Sequence, residues 1–283
     1  MSSFSERAQW LKEQIANADY ILIGAGSGLS AAAGLDYAGE DFRREFREWI
    51  DRYGIADLYS SSFFPFETEE ERWAMWAKHI WFSRYRTGAL PLYKKLLKMV
   101  DGKDYFVITT NVDGQFEMAG FDTHRIFATQ GDYCYFQPAS GAPKELYHNR
   151  EWVERALPAI KDCRIPTELI PHTPDGQPVS MNLRCDDTFV EDAHWHEQAQ
   201  RYSDFVSMAH DKRMLLLEFG VGFQHARHHP FPIRTDGCTI PRHHACPLQP
   251  RLSATVHPGH QPICGFLRRR GTNFSAICPN IHA

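Results

Sequence analysis

Tyr20-Ile21-Leu22-Ile23-Gly24-Ala25-Gly26-Ser27-Gly28-Leu29-Ser30 is the stretch on which the reading of this chain turns. Its first four residues form a short unbroken apolar run, the pattern of a strand buried on both faces. A glycine-rich turn follows at once, and then small residues from Ser30 to Ala33, which suit close helix packing. Glycines let a backbone approach a diphosphate, and the free N–H groups at the start of the next helix favour negative charge. A full dinucleotide fingerprint would want a third glycine where Leu29 stands. A tight strand-to-helix turn without a ligand remains an alternative for this segment taken alone.

Working outward, helical and strand signals alternate through residue 222. Ser3 and Glu6 form a capping box ahead of the stripe Phe4, Trp10, Leu11 and Ile15. Asp41 to Arg52 reads as one amphipathic helix. Thr68 with Glu71 predicts a second capping box, opening a helix through Trp73, Trp76, Ile80 and Tyr85. Ala89 to Val100 predicts another helix, and Asp192 to His210 a long one. Strands are predicted at Tyr105–Thr109, Arg125–Ala128 and Met214–Phe219. Such alternation implies an α/β fold: a parallel sheet with helices on both faces, binding ligands beyond the carboxyl ends of its strands. Three turns fall at such ends, 24–28, 111–115 and 220–222. The predicted division is a main domain of residues 1–134 and 189–222 with a small inserted module at 135–188.

The chain has 283 residues, 43% hydrophobic and 23% charged, which excludes wholesale disorder. No apolar run reaches the roughly 18–20 residues of a membrane-spanning helix. The first 17 residues lack a signal-peptide core, so a soluble, cytoplasmic protein is expected. The net charge of −4 divides unevenly, with −10 over residues 1–222 and +6 over 223–283. The segment 223–283 is crowded with Arg, His, Pro and Cys, and no helical or strand period is read in it. It reads as anomalous, either out-of-frame or mis-spliced sequence or a disordered basic tail. A metal knuckle of His257, His260 and Cys264 is a weaker alternative, because the four cysteines of the tail form no short-spaced pairs. Arg268-Arg269-Arg270 is too small a basic cluster to point to nucleic acid.

Thr109-Thr110-Asn111-Val112-Asp113-Gly114-Gln115 places an amide and a carboxylate at a strand end. The amide can bond a ribose hydroxyl or a carboxamide without adding charge. The carboxylate can accept from a carboxamide or lock the loop. An Asx-type turn explains Asp113-Gly114 equally well.

Gly24-Ala25-Gly26 after a strand, Thr-Asn-Val-Asp-Gly around position 111, and Gln130-Gly131-Asp132 together resemble the sirtuin family. The resemblance covers about residues 5–223, and the three motifs occur in the family's order. It implies a Rossmann-like, sirtuin-like fold and NAD as cofactor. Where most sirtuins carry a catalytic histidine this chain has Gln130, which cannot act as a general base. That change is similar to the macrodomain-linked, class M sirtuins, which resemble protein ADP-ribosyltransferases more than deacylases. Asp162-Cys163-Arg164 and the run Asp186 to Asp192 also look like that subgroup.

The resemblance implies protein ADP-ribosylation with release of nicotinamide, through a transition state with oxocarbenium character at the ribose C1′. Asn111 and Gln130 would be catalytic, holding the nicotinamide ribose. Asp113 would recognise the carboxamide, Gly24, Ala25, Gly26 and Ser27 would cradle phosphates, and Gly220 and Gly222 would approach the adenosine. The implied partner is a protein, in the subgroup a lipoyl-carrier protein like that of glycine cleavage. NAD-dependent lysine deacylation and a non-catalytic or defective NAD-binding protein are the alternatives. An ordinary Rossmann oxidoreductase leaves the Asn111 and Gln130 motifs unexplained. Sirtuins usually hold zinc on four cysteines in the inserted module. Cys134, Cys163 and Cys185 offer no paired spacing, so no metal is expected, and the three read as buried small apolar residues. Trp73, Trp76, Trp81 and Phe82 read as core, and His194 and His196 as surface or capping groups.

Overall fold

A computed structural model describes residues 3–221, 251–257 and 263–268. Its main sheet is built on β1 (Tyr20–Ala25), flanked by β2 (Asp104–Thr109) and β7 (Met214–Phe219), with β3 (Ile126–Ala128) beside β2. These four strands are parallel, with Tyr20 opposite Asp104 on one side and Met214 on the other. A strand paired on both edges and covered on both faces has no polar side to show, which is why β1 is written without alternation.

The two faces separate by residue parity. Ile21, Ile23, Val107, Leu215 and Leu217 pack beneath α1 (Phe4–Asn17) and α7 (Pro91–Met99), which bring Leu11, Ile15, Tyr93 and Leu96. Leu22, Phe106 and Phe127 pack on the other face against Phe205 of α10 (Ala193–Met208). Ser3 and Glu6 close the expected capping box of α1. The α/β arrangement with helices on both faces is the one expected.

Several elements differ from expectation. The helix expected over Asp41–Arg52 is two, α3 (Glu40–Glu45) and α4 (Arg47–Tyr53), after the short α2 (Ser27–Ala32). Phe46 breaks them at φ −108° and ψ 20°, and Phe42, Phe46 and Trp49 are all buried. One-sided burial across a bend replaces the straight stripe. After α5 (Leu58–Ser61), α6 (Glu69–Ile80) runs into a π-helical turn, Trp81–Tyr85. Only half of its expected capping box forms. Thr68 accepts from the Glu71 amide at 3.3 Å, but the Glu71 carboxylate is buried and takes the Arg164 guanidinium, with Nη2 at 2.8 Å and Nε at 3.2 Å.

A second sheet is three-stranded and antiparallel, in the order β5-β4-β6, made of β4 (Gly131–Pro138), β5 (Tyr147–His148) and β6 (Val179–Leu183). Its first strand starts directly after Gln130. Phe136 of β4, Trp152 of α9 (Arg150–Ala156) and Trp73 of α6 meet edge-on, with centroids 5.1–5.5 Å apart, so the second sheet shares one core with α6 and α9. Trp73, Trp76 and Phe82 are buried there as expected, and Trp81 is partly buried against the cluster. Cys134 and Cys163 are buried, but Cys185, just beyond the end of β6, is exposed, contrary to expectation.

Two segments of the tail are strands. β8 (Arg251–His257) pairs antiparallel with β7, and β9 (Ile263–Arg268) with β8. This corrects the expectation of no strand period. Leu252, Ala254 and Val256 do alternate with Arg251, Ser253 and Thr255, a signal obscured by the composition around it. Gly222, Arg269, Arg270, His260 and the side chains of His257 and Cys264 lie outside what is described.

Candidate active site

The carboxyl ends of β1, β2 and β7 lie side by side. The Thr110 amide donates to the Ala25 carbonyl at 3.0 Å, and the Gly26 amide to the Phe219 carbonyl at 2.9 Å. Gly24 and Ala25 belong to β1 and not to the turn, with Gly24 opposite Ile108 and Glu218. The turn proper starts at Gly26, and exposed Ser27 opens α2. The Gly28 amide donates to the Gly220 carbonyl at 3.1 Å. Gly220 has φ +64°, and a Cβ on it would stand 2.1 Å from the Leu29 nitrogen. The glycine turns after β1 and β7 therefore interlock backbone to backbone, a reason for glycine at 26, 28 and 220 that involves no ligand.

Asn111 and Asp113 follow β2 and are buried. The Asn111 side-chain amide donates to Tyr93 Oη at 3.2 Å and to Ser30 Oγ at 3.3 Å. Ser30 Oγ donates to Asp113 Oδ2, and the Ser30 and Tyr93 hydroxyls lie 2.7 Å apart. With its one proton given to Asp113, Ser30 can only accept from Tyr93. The bonds thus run in one direction, from Asn111 through Tyr93 and Ser30 to the carboxylate. Such chains polarise one another. Burial raises the Asp113 carboxyl above its ordinary value, opposed by the bonds from Ser30 and from the Gln115 amide at 3.1 Å. Burial also raises Tyr93, with the Asp113 charge adding to it, so Tyr93 stays a neutral phenol.

Gln130 is half-buried in the turn between β3 and β4, where its carbonyl accepts from the Arg184 amide at 3.1 Å. The following residue, Gly131, has φ +94°, and a Cβ on it would meet the Asn182 carbonyl oxygen at 2.0 Å. A cleft of about 320 Å³ opens between the two sheets, lined by Asn111, Asp113, Asp132, Asn182, His194 and Trp195 among others. Asp192 caps α10 by accepting from the Trp195 amide at 2.8 Å, so His194 is not the cap. His194 is exposed and lines the cleft, where its ring meets Gln198 at 2.9 Å. Among the described residues the buried Trp195 indole N–H has no hydrogen-bond partner.

The structure thus brings Asn111 and Asp113 together with two residues not singled out from the sequence, Ser30 and Tyr93. Ser30 was legible only as one of several small residues, and Tyr93 only as the buried side of a helix. Among the described residues no group of three or more His, Cys, Asp or Glu could hold a metal. The fold and site define an α/β protein with an uncharged amide and a buried, bonded carboxylate at the ends of parallel strands.

No family model matches the chain. A protein ADP-ribosyltransferase of Staphylococcus aureus (strain Mu50 / ATCC 700699) is 34% identical over 235 residues, covering 82% of this chain and 75% of its own length. The chain belongs to the family of this protein ADP-ribosyltransferase. A probable bifunctional ADP-ribose hydrolase/ADP-ribosyltransferase of Fusarium oxysporum f. sp. cubense is 29% identical, and there the match spans 75% of this chain but only 37% of the relative. Among solved structures, a mutant Sir2 homologue in complex with ADP-ribose is 16% identical over 70% of each chain, with a TM-score of 0.44.

Proposed function

We propose that this chain transfers ADP-ribose from NAD to a protein. The reading is carried by one observation: a side-chain amide, Gln130, stands in the turn where a deacylating relative needs a base. NAD supplies the ADP-ribosyl group: the acceptor side chain bonds C1′ as the C1′–nicotinamide bond breaks, nicotinamide leaves neutral, and the acceptor's proton passes to water. Asn111, fixed by Tyr93 and Ser30, would present an uncharged donor to the ribose. Gln130 would orient ribose or acceptor by hydrogen bonds. The Asp113–Ser30 pair would accept from a carboxamide. Gly26 and exposed Ser27 would face the diphosphate behind Gly24 and Ala25 at the end of β1, with Gly220 and Gly222 toward the adenosine. Their task is placement and electrostatics.

We infer a protein acceptor entering between the two sheets, and by the subgroup resemblance a lipoyl-carrier protein of the glycine-cleavage type. A cytoplasmic location fits the free thiols of Cys134, Cys163 and Cys185. Among the described residues no helix is long and apolar enough to cross a membrane. The test is incubation with adenine-labelled NAD and a purified glycine-cleavage H-like protein. Label on the carrier with equimolar nicotinamide release, lost in Asn111→Ala, is expected. Turnover of an acylated peptide without label transfer would overturn the reading in favour of deacylation.

A further inference from the structure

Arg84 lies in the π-helical turn after α6, a kind of turn frequent at functional sites. It is 9% exposed and faces two loops that the sequence places far away. Its Nε bonds Asp132 Oδ1 at 3.0 Å, and its Nη2 reaches Asp132 Oδ2 at 3.4 Å and Glu117 Oε2 at 3.1 Å. Asp132 Oδ1 also accepts from the Cys134 amide at 2.7 Å. A Cβ on Gly114 would stand 2.3 Å from the Arg84 Cζ, so the guanidinium occupies the side-chain position of the residue after Asp113. One backbone bond joins the same two loops, from the Tyr133 amide to the Val112 carbonyl at 2.9 Å.

We propose that Arg84 is a positioning residue that, through Asp132 at the start of β4, holds the Asn111–Gly114 loop and the Gln130 turn in one fixed relation. The catalytic side of this rests on the transferase reading above; the coupling of the two loops does not. A guanidinium suits the task because its planar fork reaches two carboxylates and still lies flat over a glycine. The Glu117 arm is exposed and weak, so Asp132 carries the contact. Gly114 has φ +66°, which an Asx-type turn explains by itself. The Arg84 contact is a second, independent demand for glycine there.

The test compares Arg84→Lys, Asp132→Asn, their double variant and Gly114→Ala with the unaltered chain. Hydrogen exchange of residues 110–115 and 130–133 is followed without NAD, and kcat and KM for NAD are measured in the transfer assay. Each single variant is expected to speed exchange in both segments together. It is expected to lower kcat about tenfold or more while KM for NAD moves less than about threefold. The double variant should be no worse than the worse single one. Faster exchange in one segment only, or no change in either, would overturn the coupling. A uniform rise across the whole chain with kcat per folded molecule unchanged would overturn it too, in favour of a purely structural arginine. If the unaltered chain transfers nothing, the transferase reading fails while the exchange data still decide the coupling. Gly114→Ala keeps both charges, so it remains informative should Arg84→Lys fail to fold.

Discussion

The Asn111 side-chain amide reaches Tyr93 Oη at 3.2 Å, joining the loop after β2 to the first turn of α7. That bond fixes the amide plane of Asn111 before any ligand arrives. It also makes a helix residue that looks like core part of the site.

Tyr93→Phe tests this directly. The variant keeps the ring, which packs edge-on against Phe116 at 4.9 Å, and deletes the hydroxyl that accepts from Asn111 and donates to Ser30. Urea unfolding should show a loss of about 1–3 kcal/mol. Transfer should fall about tenfold, chiefly in kcat, because Asn111 loses its orientation and not its chemistry.

Asp113→Asn should change how stability depends on pH. Burial raises the Asp113 carboxyl above its ordinary 3.8 in the folded chain. Its contribution to stability is therefore complete below the unfolded value and is lost as pH rises through the folded one. The amide variant lacks that loss. Unfolding free energies should thus shift in favour of the variant, relative to the unaltered chain, between acid and neutral pH. A constant difference across that range would mean that Asp113 does not titrate there.

Gln130→His introduces a group that titrates near about 6.5. The transfer rate of the unaltered chain should show no break from residue 130 in that region, and the variant should acquire one. Peptide deacylation appearing in the variant alone would assign the loss of that activity to this one side chain.

Gly220→Ala should be costly, since the new methyl would meet the Leu29 nitrogen at 2.1 Å and neither backbone can swing aside. A loss of at least about 3 kcal/mol is expected in thermal or urea unfolding. Gly34→Ala is the control. Its φ is +105°, but among the described residues nothing lies within 4 Å of the new Cβ, so it should lose only backbone strain of about 1–3 kcal/mol.

Adding NAD should raise the unfolding midpoint of the chain. Ligand at 100 times its dissociation constant contributes about 2.7 kcal/mol when it binds only the folded state. A cooperative transition that ignores NAD would count against the nucleotide site.

The sequence by itself determined the alternation of buried strands and amphipathic helices, the strand-end places of Asn111, Asp113 and Gly220, and the amide at 130. These are local matters, since apolar period and turn chemistry are written within a few residues of where they act. Only the tertiary structure decided that Ser30 and Tyr93, 63 residues apart, share a hydrogen bond beside Asn111. The same holds for the Arg84 guanidinium over Gly114 and for the ion pair between Glu71 and Arg164. A serine among small residues, a tyrosine on a helix and a glutamate three places after a threonine each carry an ordinary local meaning. Their partners are set by how the sheet and its helices pack, because a buried donor or charge must be satisfied by whatever group the fold brings within reach.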